Sequence, residues 1–287
     1  MSTRKEKLEM LETKLKDGVQ QCFQDGSKYM QFLRTMSKFT SYSPRNCLLI
    51  AIQTDGQATY VASYKKWQSL GRQVQKGSKA INIFAPYTFK RKRDDGTEEE
   101  GLGFFATPVF DISATRVVMD DAPEIGLGQI DIPIEEYDSI IEAITAVSPC
   151  PVSFSEFKGT ANGYYSPSSN SITVRSSLTD AMRIKTLLHE IAHAHLDNPD
   201  NREDDTKESR DIKEVRAESV AFMVSSMLNI PTDDYSFPYV ASWEGAKDIK
   251  KLTSEMTMIK STANRIFEDI QKYRGIEIAE NSSIATE

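Results

Sequence analysis

At 287 residues the chain is long enough for two domains of ordinary size, and 39% hydrophobic against 27% charged residues excludes a disordered or fibrous protein. No run of 18 apolar residues and no apolar core behind Met1 lead us to expect neither a membrane span nor a secretion signal, and three scattered cysteines without a CxxC pair (Cys22, Cys47, Cys150) predict reduced thiols in the cytoplasm. The net charge of -7 divides unevenly: residues 1–93 hold 18 Lys and Arg against 6 Asp and Glu, the remainder 17 against 36, which suggests a polyanion-binding module joined to an acidic one.

Residues 1–38 read as helix, with Leu8, Leu11 and Leu15 at helical spacing and a break near Asp25-Gly26. Ser43 before Pro44 is a helix start, and the segment from Arg45 to Gln53 behind it is apolar enough to be buried. A further helix over Ser63 to Leu70 ends at Gly71 and displays Tyr64, Lys65, Lys66 and Trp67. Residues 71–79 form a basic loop between glycines. A strand then runs from Ile81 to about Arg93, turns at Asp94-Asp95-Gly96-Thr97 and returns antiparallel over Gly103 to Asp111.

Residues 112–134 read as a connector, followed by a helix from Ile134 to Val147 and short strands at Val152–Phe157, Gly163–Tyr165 and Ser171–Val174. Ser177 and Asp180 have capping-box spacing and start a helix that reaches Leu196, which residues 197–201 end. The acidic run Glu203-Asp204-Asp205 is a loop before a second helix from Glu208 to Leu228. Ile249, Leu252, Met256, Ile259, Ala263, Ile266 and Ile270 form the core stripe of a last helix. The fold class is α+β, with a helical and small antiparallel-sheet domain over 1–125 and a second domain over 126–287.

Aromatics interleaved with Lys and Arg suit single-stranded nucleic acid, whose bases stack on rings while cations follow the phosphates. The candidate contacts are Arg45, Asn46, Tyr64, Lys66, Trp67, Arg72, Lys76, Lys79, Tyr87, Lys90 and Arg91, with Phe89 a further ring. The competing reading makes the aromatics core and the Lys and Arg beside the hairpin a solvated sheet edge.

The second domain carries His189-Glu190-Ile191-Ala192-His193, an HExxH motif inside an apolar helix. At about 100° per residue the two histidines lie roughly 40° apart, so both can hold one zinc while Glu190 reaches a water beside it. His195 lies about 240° from His189 and cannot join them. These three are all the histidines of the chain, so a third ligand is a carboxylate or a cysteine. Glu214, on the next helix, fits that place, and Glu218, one turn on, fits the outer N–H of a ligand histidine. Exchanging the two acids would leave the chemistry unchanged.

Several longer stretches carry a resemblance. In the first half they are Arg45-Asn46-Cys47-Leu48-Leu49-Ile50-Ala51-Ile52-Gln53, the run from Ser63-Tyr64 through Trp67, Gly71-Arg72 and Val74 to Lys76-Gly77, and Pro108-Val109-Phe110-Asp111. In the second they are Leu188-His189-Glu190-Ile191-Ala192-His193, the run from Glu214 through Ala217-Glu218 to Phe222, and Phe237-Pro238-Tyr239-Val240-Ala241-Ser242-Trp243. In this order they resemble the ArdC-like antirestriction and conjugative-transfer proteins of bacterial plasmids and mobile elements. The resemblance implies an N-terminal single-stranded-DNA-binding domain and a C-terminal zincin-type metallopeptidase domain similar to the ImmA/IrrE group. It implies that His189, His193 and Glu214 bind one Zn2+ per chain, that Glu190 is catalytic, and that the partners are single-stranded DNA and an unknown protein substrate. Tyr239 is a candidate for stabilising an oxyanion. The rival expectation is a protein that coats single-stranded DNA and whose metal site is structural or silent.

Overall fold

The computed structural model describes residues 3–92, 98–120, 122–123, 125, 136–198, 209–232, 235–237, 240 and 249–276. Helix α1 (Arg4–Gln24) starts on a capping box between Thr3 and Glu6, and α2 (Gly26–Lys38) starts on Asp25, whose carboxylate accepts the Ser27 amide. The expected break falls there. Ser43 caps α3 (Pro44–Thr54), with proline at its first position. Most of the apolar residues of α3 are buried, though Ile52 faces out.

Helix α3 lies along the outer edge of strand β3 (Ile81–Lys92), and two of its carboxamides pair with that edge as a neighbouring strand would. Asn46 donates to the Phe84 carbonyl at 2.9 Å and accepts the Phe84 amide at 3.0 Å; Gln53 does the same at Asn82, at 2.8 and 3.1 Å. Edge groups that would otherwise face water or another chain are thereby satisfied. On its other side β3 pairs antiparallel with β4 (Glu98–Asp111), from Ile81 opposite Val109 to Lys92 opposite Glu98. Strand β1 (Val61–Ala62) extends the sheet along β4.

Past Ala85 this hairpin leaves the core, and two of its rings reach over glycines. A Cβ on Gly101 would stand 2.4 Å from Phe89 Cζ, and one on Gly103 2.5 Å from Tyr87 Cζ. The expected turn at 94–97 and Arg93 lie outside the described residues. Ser63 caps α4 (Tyr64–Ser69), and Gly71 follows it at a φ of 66° that favours glycine. The basic loop expected over 71–79 contains a strand instead: β2 (Arg72–Val74) pairs antiparallel with β5 (Thr115–Val117). The head of the expected connector therefore belongs to the N-terminal half. Three-residue strands are too short to show an alternating pattern.

Next come α5 (Tyr137–Ala146) and a sheet of β6 (Val152–Phe154), β7 (Gly163–Ser166) and β8 (Ser171–Val174). Strand β8 is central, parallel to β6 and antiparallel to β7. Helices α6 (Asp180–Leu196), α7 (Arg210–Met227) and α8 (Ile249–Tyr273) complete the second half. The capping box expected at Ser177 does not form. Glu156 accepts the Ser177 amide at 2.9 Å and the Ser176 hydroxyl at 2.6 Å, which holds that segment off the helix, and α6 begins behind Thr179 without a side-chain cap.

From Leu252 to Ile270 the expected stripe of α8 is buried. The acidic run 203–205 lies outside the described residues. One hydrophobic cluster runs through both halves. Across that junction the Tyr29 hydroxyl pairs with Ser219 Oγ at 2.8 Å, Ser37 donates to the Met223 carbonyl at 3.3 Å, and Lys260 of α8 donates to the carbonyls of Phe39 and Tyr42. Among the described residues no helix is long and apolar enough to cross a membrane.

Candidate metal centre

Leu187, Leu188, Ile191 and Ala192 bury the inner face of α6, which turns His189 and His193 toward α7. Their Nε2 atoms lie 3.1 Å apart. The near oxygen of Glu214 stands 3.4 Å from the first and 3.7 Å from the second. Each outer nitrogen has a carboxylate: His189 Nδ1 lies 3.0 Å from Glu218 Oε2, and His193 Nδ1 lies 2.7 Å from Asp197 Oδ2. The two acids of α7 are thus told apart by the structure. Glu214 faces the inner nitrogens and Glu218 an outer one.

This donor set fits a divalent cation. Two outer N–H groups directed at carboxylates leave both Nε2 lone pairs directed at each other and at a third electron-pair donor, which repel unless a proton or a cation sits among them. Two imidazoles with one carboxylate are ligands that zinc accepts, and manganese tolerates. Among the described residues His189, His193 and Glu214 are the one group of this kind.

Burial alone would pull both imidazoles down. At His189 the carboxylates of Glu214 and Glu218 outweigh it, at His193 those of Asp197 and Glu214, and both rings are held above the ordinary imidazole range. Hydrogen bonds from the same histidines hold Glu214 far below the usual carboxylate range. Burial pushes Glu190 up, against the pull of the two histidines. His195 stands apart; burial and the charge of Arg265 lower it.

Strand β7 lies against this site. Gly163 allows the approach, since a Cβ there would meet Thr186 at 2.7 Å and Glu190 at 3.3 Å. Because the Ile172 amide bonds across to Pro151, Tyr165, opposite Ile172, turns its backbone to the outer edge of β7, where its amide meets the Glu190 carboxylate. Asp197 was not among the expected site residues, because it read as a helix terminator. Its position four residues after His193 was the available signal. Tyr239 lies outside the described residues.

In the N-terminal half several of the expected DNA contacts have partners within the fold. Trp67 is fully buried, and its indole donates to the Phe110 carbonyl at 2.9 Å. Asn46 is occupied by the edge of β3. The guanidinium of Arg45 lies 4.6 Å from the Phe84 ring, and Arg72 donates to Thr115 Oγ1 at 2.8 Å. Lys90 and Arg91 stand across the hairpin from Glu100 and Glu99, with Lys90 3.6 Å from Glu98. The charge division drawn at residue 93 cuts this hairpin in two; over residues 1–125 the count is 19 basic against 15 acidic. Lys76, Lys79 and Tyr64 remain exposed and Lys66 half-buried, and Tyr87 and Phe89 show 48% and 43% of their surface.

Residues 2–107 match the family model for the N-terminal domain of the anti-restriction factor ArdC, and residues 149–252 match the M78 peptidase model, described as the IrrE N-terminal-like domain. The chain is 25% identical over 284 residues to an uncharacterized protein of Bacillus anthracis, an alignment that covers 85% of this chain and 48% of the relative. It thus spans about half the length of that relative. Two crystal structures of the antirestriction ArdC protein from the R388 plasmid share its fold. The metal-free one superimposes with a TM-score of 0.58 at 23% identity, over 83% of this chain and 87% of that one. The Mn(II)-bound one gives 0.54 at 21%, over 80% and 85%.

Proposed function

From a chain that joins an ArdC-type N-terminal domain to an IrrE-like domain of the M78 peptidases, we infer an antirestriction and conjugation-associated protein of a plasmid or mobile element, acting in the cytoplasm. Its first 125 residues bind single-stranded DNA. The remainder holds one zinc through His189, His193 and Glu214 and hydrolyses a protein substrate. The observation that carries this reading is the convergence of those three ligands beside the buried Glu190, under the outer edge of β7.

When bound, zinc supplies Lewis acidity that polarises a scissile carbonyl and acidifies water. Glu190, beside the ligand group, would take a proton from the attacking water and return it to the leaving amine. Burial makes this carboxylate a stronger base than an exposed one, and the Tyr165 amide orients it. A peptide laid in extended form along β7 would carry its carbonyls past Glu190. Glu218 and Asp197 hold the ligand rings with the proton on Nδ1.

The raised histidines fix the sign of the pH dependence. In the metal-free protein the cluster keeps an extra proton at neutral pH, which the incoming ion must displace. Zinc affinity should therefore rise with pH across neutrality, and each binding event should release about one proton. Calorimetry in two buffers of different ionisation heat reads that proton directly; a binding heat that ignores the buffer would count against the geometry of the cluster.

For DNA, the favoured cations are those around α4 and the β2–β5 ribbon. The stretch from 56 to 93 contains no acid, whereas Lys90 to Lys92 are faced by Glu98 to Glu100. Lys76→Ala and Lys79→Ala should each flatten the slope of log affinity against log salt by about 0.7 on a single-stranded oligonucleotide. Lys90→Ala should leave it nearly unchanged, because Glu98 already offsets that charge. Equal effects from all three would move the DNA path onto the hairpin.

A further inference from the structure

The partners of the two histidines are themselves anchored, and reciprocally across α6 and α7. Glu218 on α7 uses Oε2 for His189 and places Oε1 3.5 Å from Lys185, back on α6 one turn before that histidine. Asp197 at the end of α6 uses Oδ2 for His193 and places Oδ1 3.6 Å from Lys213, on α7 beside Glu214. Each carboxylate thus gives one oxygen to an imidazole and the other to a lysine of the opposite helix. Both lysines are largely shielded, with side chains 21% and 27% exposed.

We propose that Lys185 and Lys213 are positioning residues of the metal centre, each acting through its carboxylate (Glu218 or Asp197) to fix the tautomer and angle of one ligand histidine. The proposal rests on the metal reading above and adds residues that neither the motif nor its spacing marks. Charge supports it. Glu190, Glu214, Glu218 and Asp197 crowd four negative charges around two neutral imidazoles. Lys185 and Lys213 offset the charge on Glu218 and Asp197, as Arg210, 3.6 Å from the outer oxygen of Glu214, does for that ligand; without its lysine the carboxylate that accepts Nδ1–H loses that offset. That carboxylate then holds the ring less firmly in its angle. Lys213 has a second effect, since bridging to Asp197 ties the first turn of α7, and with it Glu214, to the end of the histidine helix.

The test uses the full chain. Zn2+ affinity is measured by competition with a chromophoric chelator, and two-bond 1H–15N NMR reads which ring nitrogen of each histidine carries the proton. Lys185→Met and Lys213→Met keep the apolar stem and remove the charge; Lys213→Arg keeps the charge, and Asp197→Asn keeps the shape. The expected result is a loss of about 10- to 100-fold in Zn2+ affinity for each Met variant. Arginine at 213 should recover most of it. The imidazole signals of His189 should move in the first Met variant, and those of His193 in the second and in Asp197→Asn. A thermal melt shows that the variants are folded. Folded Met variants with wild-type affinity and unmoved imidazole signals would overturn the proposal while leaving the centre intact. A wild-type chain that binds no Zn2+ would remove both.

Discussion

Glu190→Gln should lower peptide hydrolysis by about 10²- to 10⁴-fold while the purified chain keeps about one zinc. Glutamine fills the same volume and its side-chain oxygen can still accept the Tyr165 amide, so the fold and the ligand set are untouched. It cannot accept a proton. The chemistry allotted to Glu190, taking a proton from water and delivering it to the leaving amine, is lost, and what remains is the polarisation due to the ion and the alignment along β7. Cleavage of a peptide library followed by mass spectrometry, with zinc assayed on the same sample, measures both quantities. A variant that cleaves at the wild-type rate would remove Glu190 from the reaction. A different result, in which neither protein cleaves anything and both protect single-stranded DNA equally from nucleases, would favour a DNA-coating protein with a silent metal site.

What could be read from the sequence was local. Ser43 before Pro44, Ser63 ahead of α4 and the stripe from Leu252 to Ile270 are short-range patterns, and the structure keeps each of them. The HExxH spacing places two imidazoles on one face by helix geometry alone. What could not be read depended on distant partners. Asn46 and Gln53 look like polar faces of an apolar helix until β3 arrives and takes both carboxamides. Trp67 belongs to a motif rich in lysine, yet its indole finds a carbonyl 43 residues away. The basic strand ending at Lys92 reads as a polyanion site only if its antiparallel partner, with Glu98 to Glu100, is left out of the count. Asp197 is intermediate. Its spacing from His193 was visible, but its position at the end of a helix suggested a simpler role.

Arg216→Met should cost about 3–5 kcal/mol of folding stability, and Glu255→Met a similar amount. On α7 Arg216 lies midway between Glu214 and Glu218, and it faces α8 instead of the histidines. Its guanidinium meets Glu255 with two bonds, Nε to Oε2 at 2.6 Å and Nη2 to Oε1 at 2.7 Å, at 5% and 9% exposure. Two charges taken this far out of water offset each other only while both are present. Removing Arg216 strands the Glu255 carboxylate; removing both together should recover most of that loss. Urea unfolding of the two single variants and the double variant supplies the cycle. A single-variant loss below about 1 kcal/mol, or a double variant no better than the worse single, would show that the pair is solvated in solution. The consequence reaches the metal centre, because the helix this pair seats against α8 is the one that carries Glu214, Glu218 and Lys213. In the folded fraction of Arg216→Met, zinc affinity should stay near wild type if α7 is held from the α6 side by its own crossed lysine bridges, and should fall with stability if α8 is what holds it.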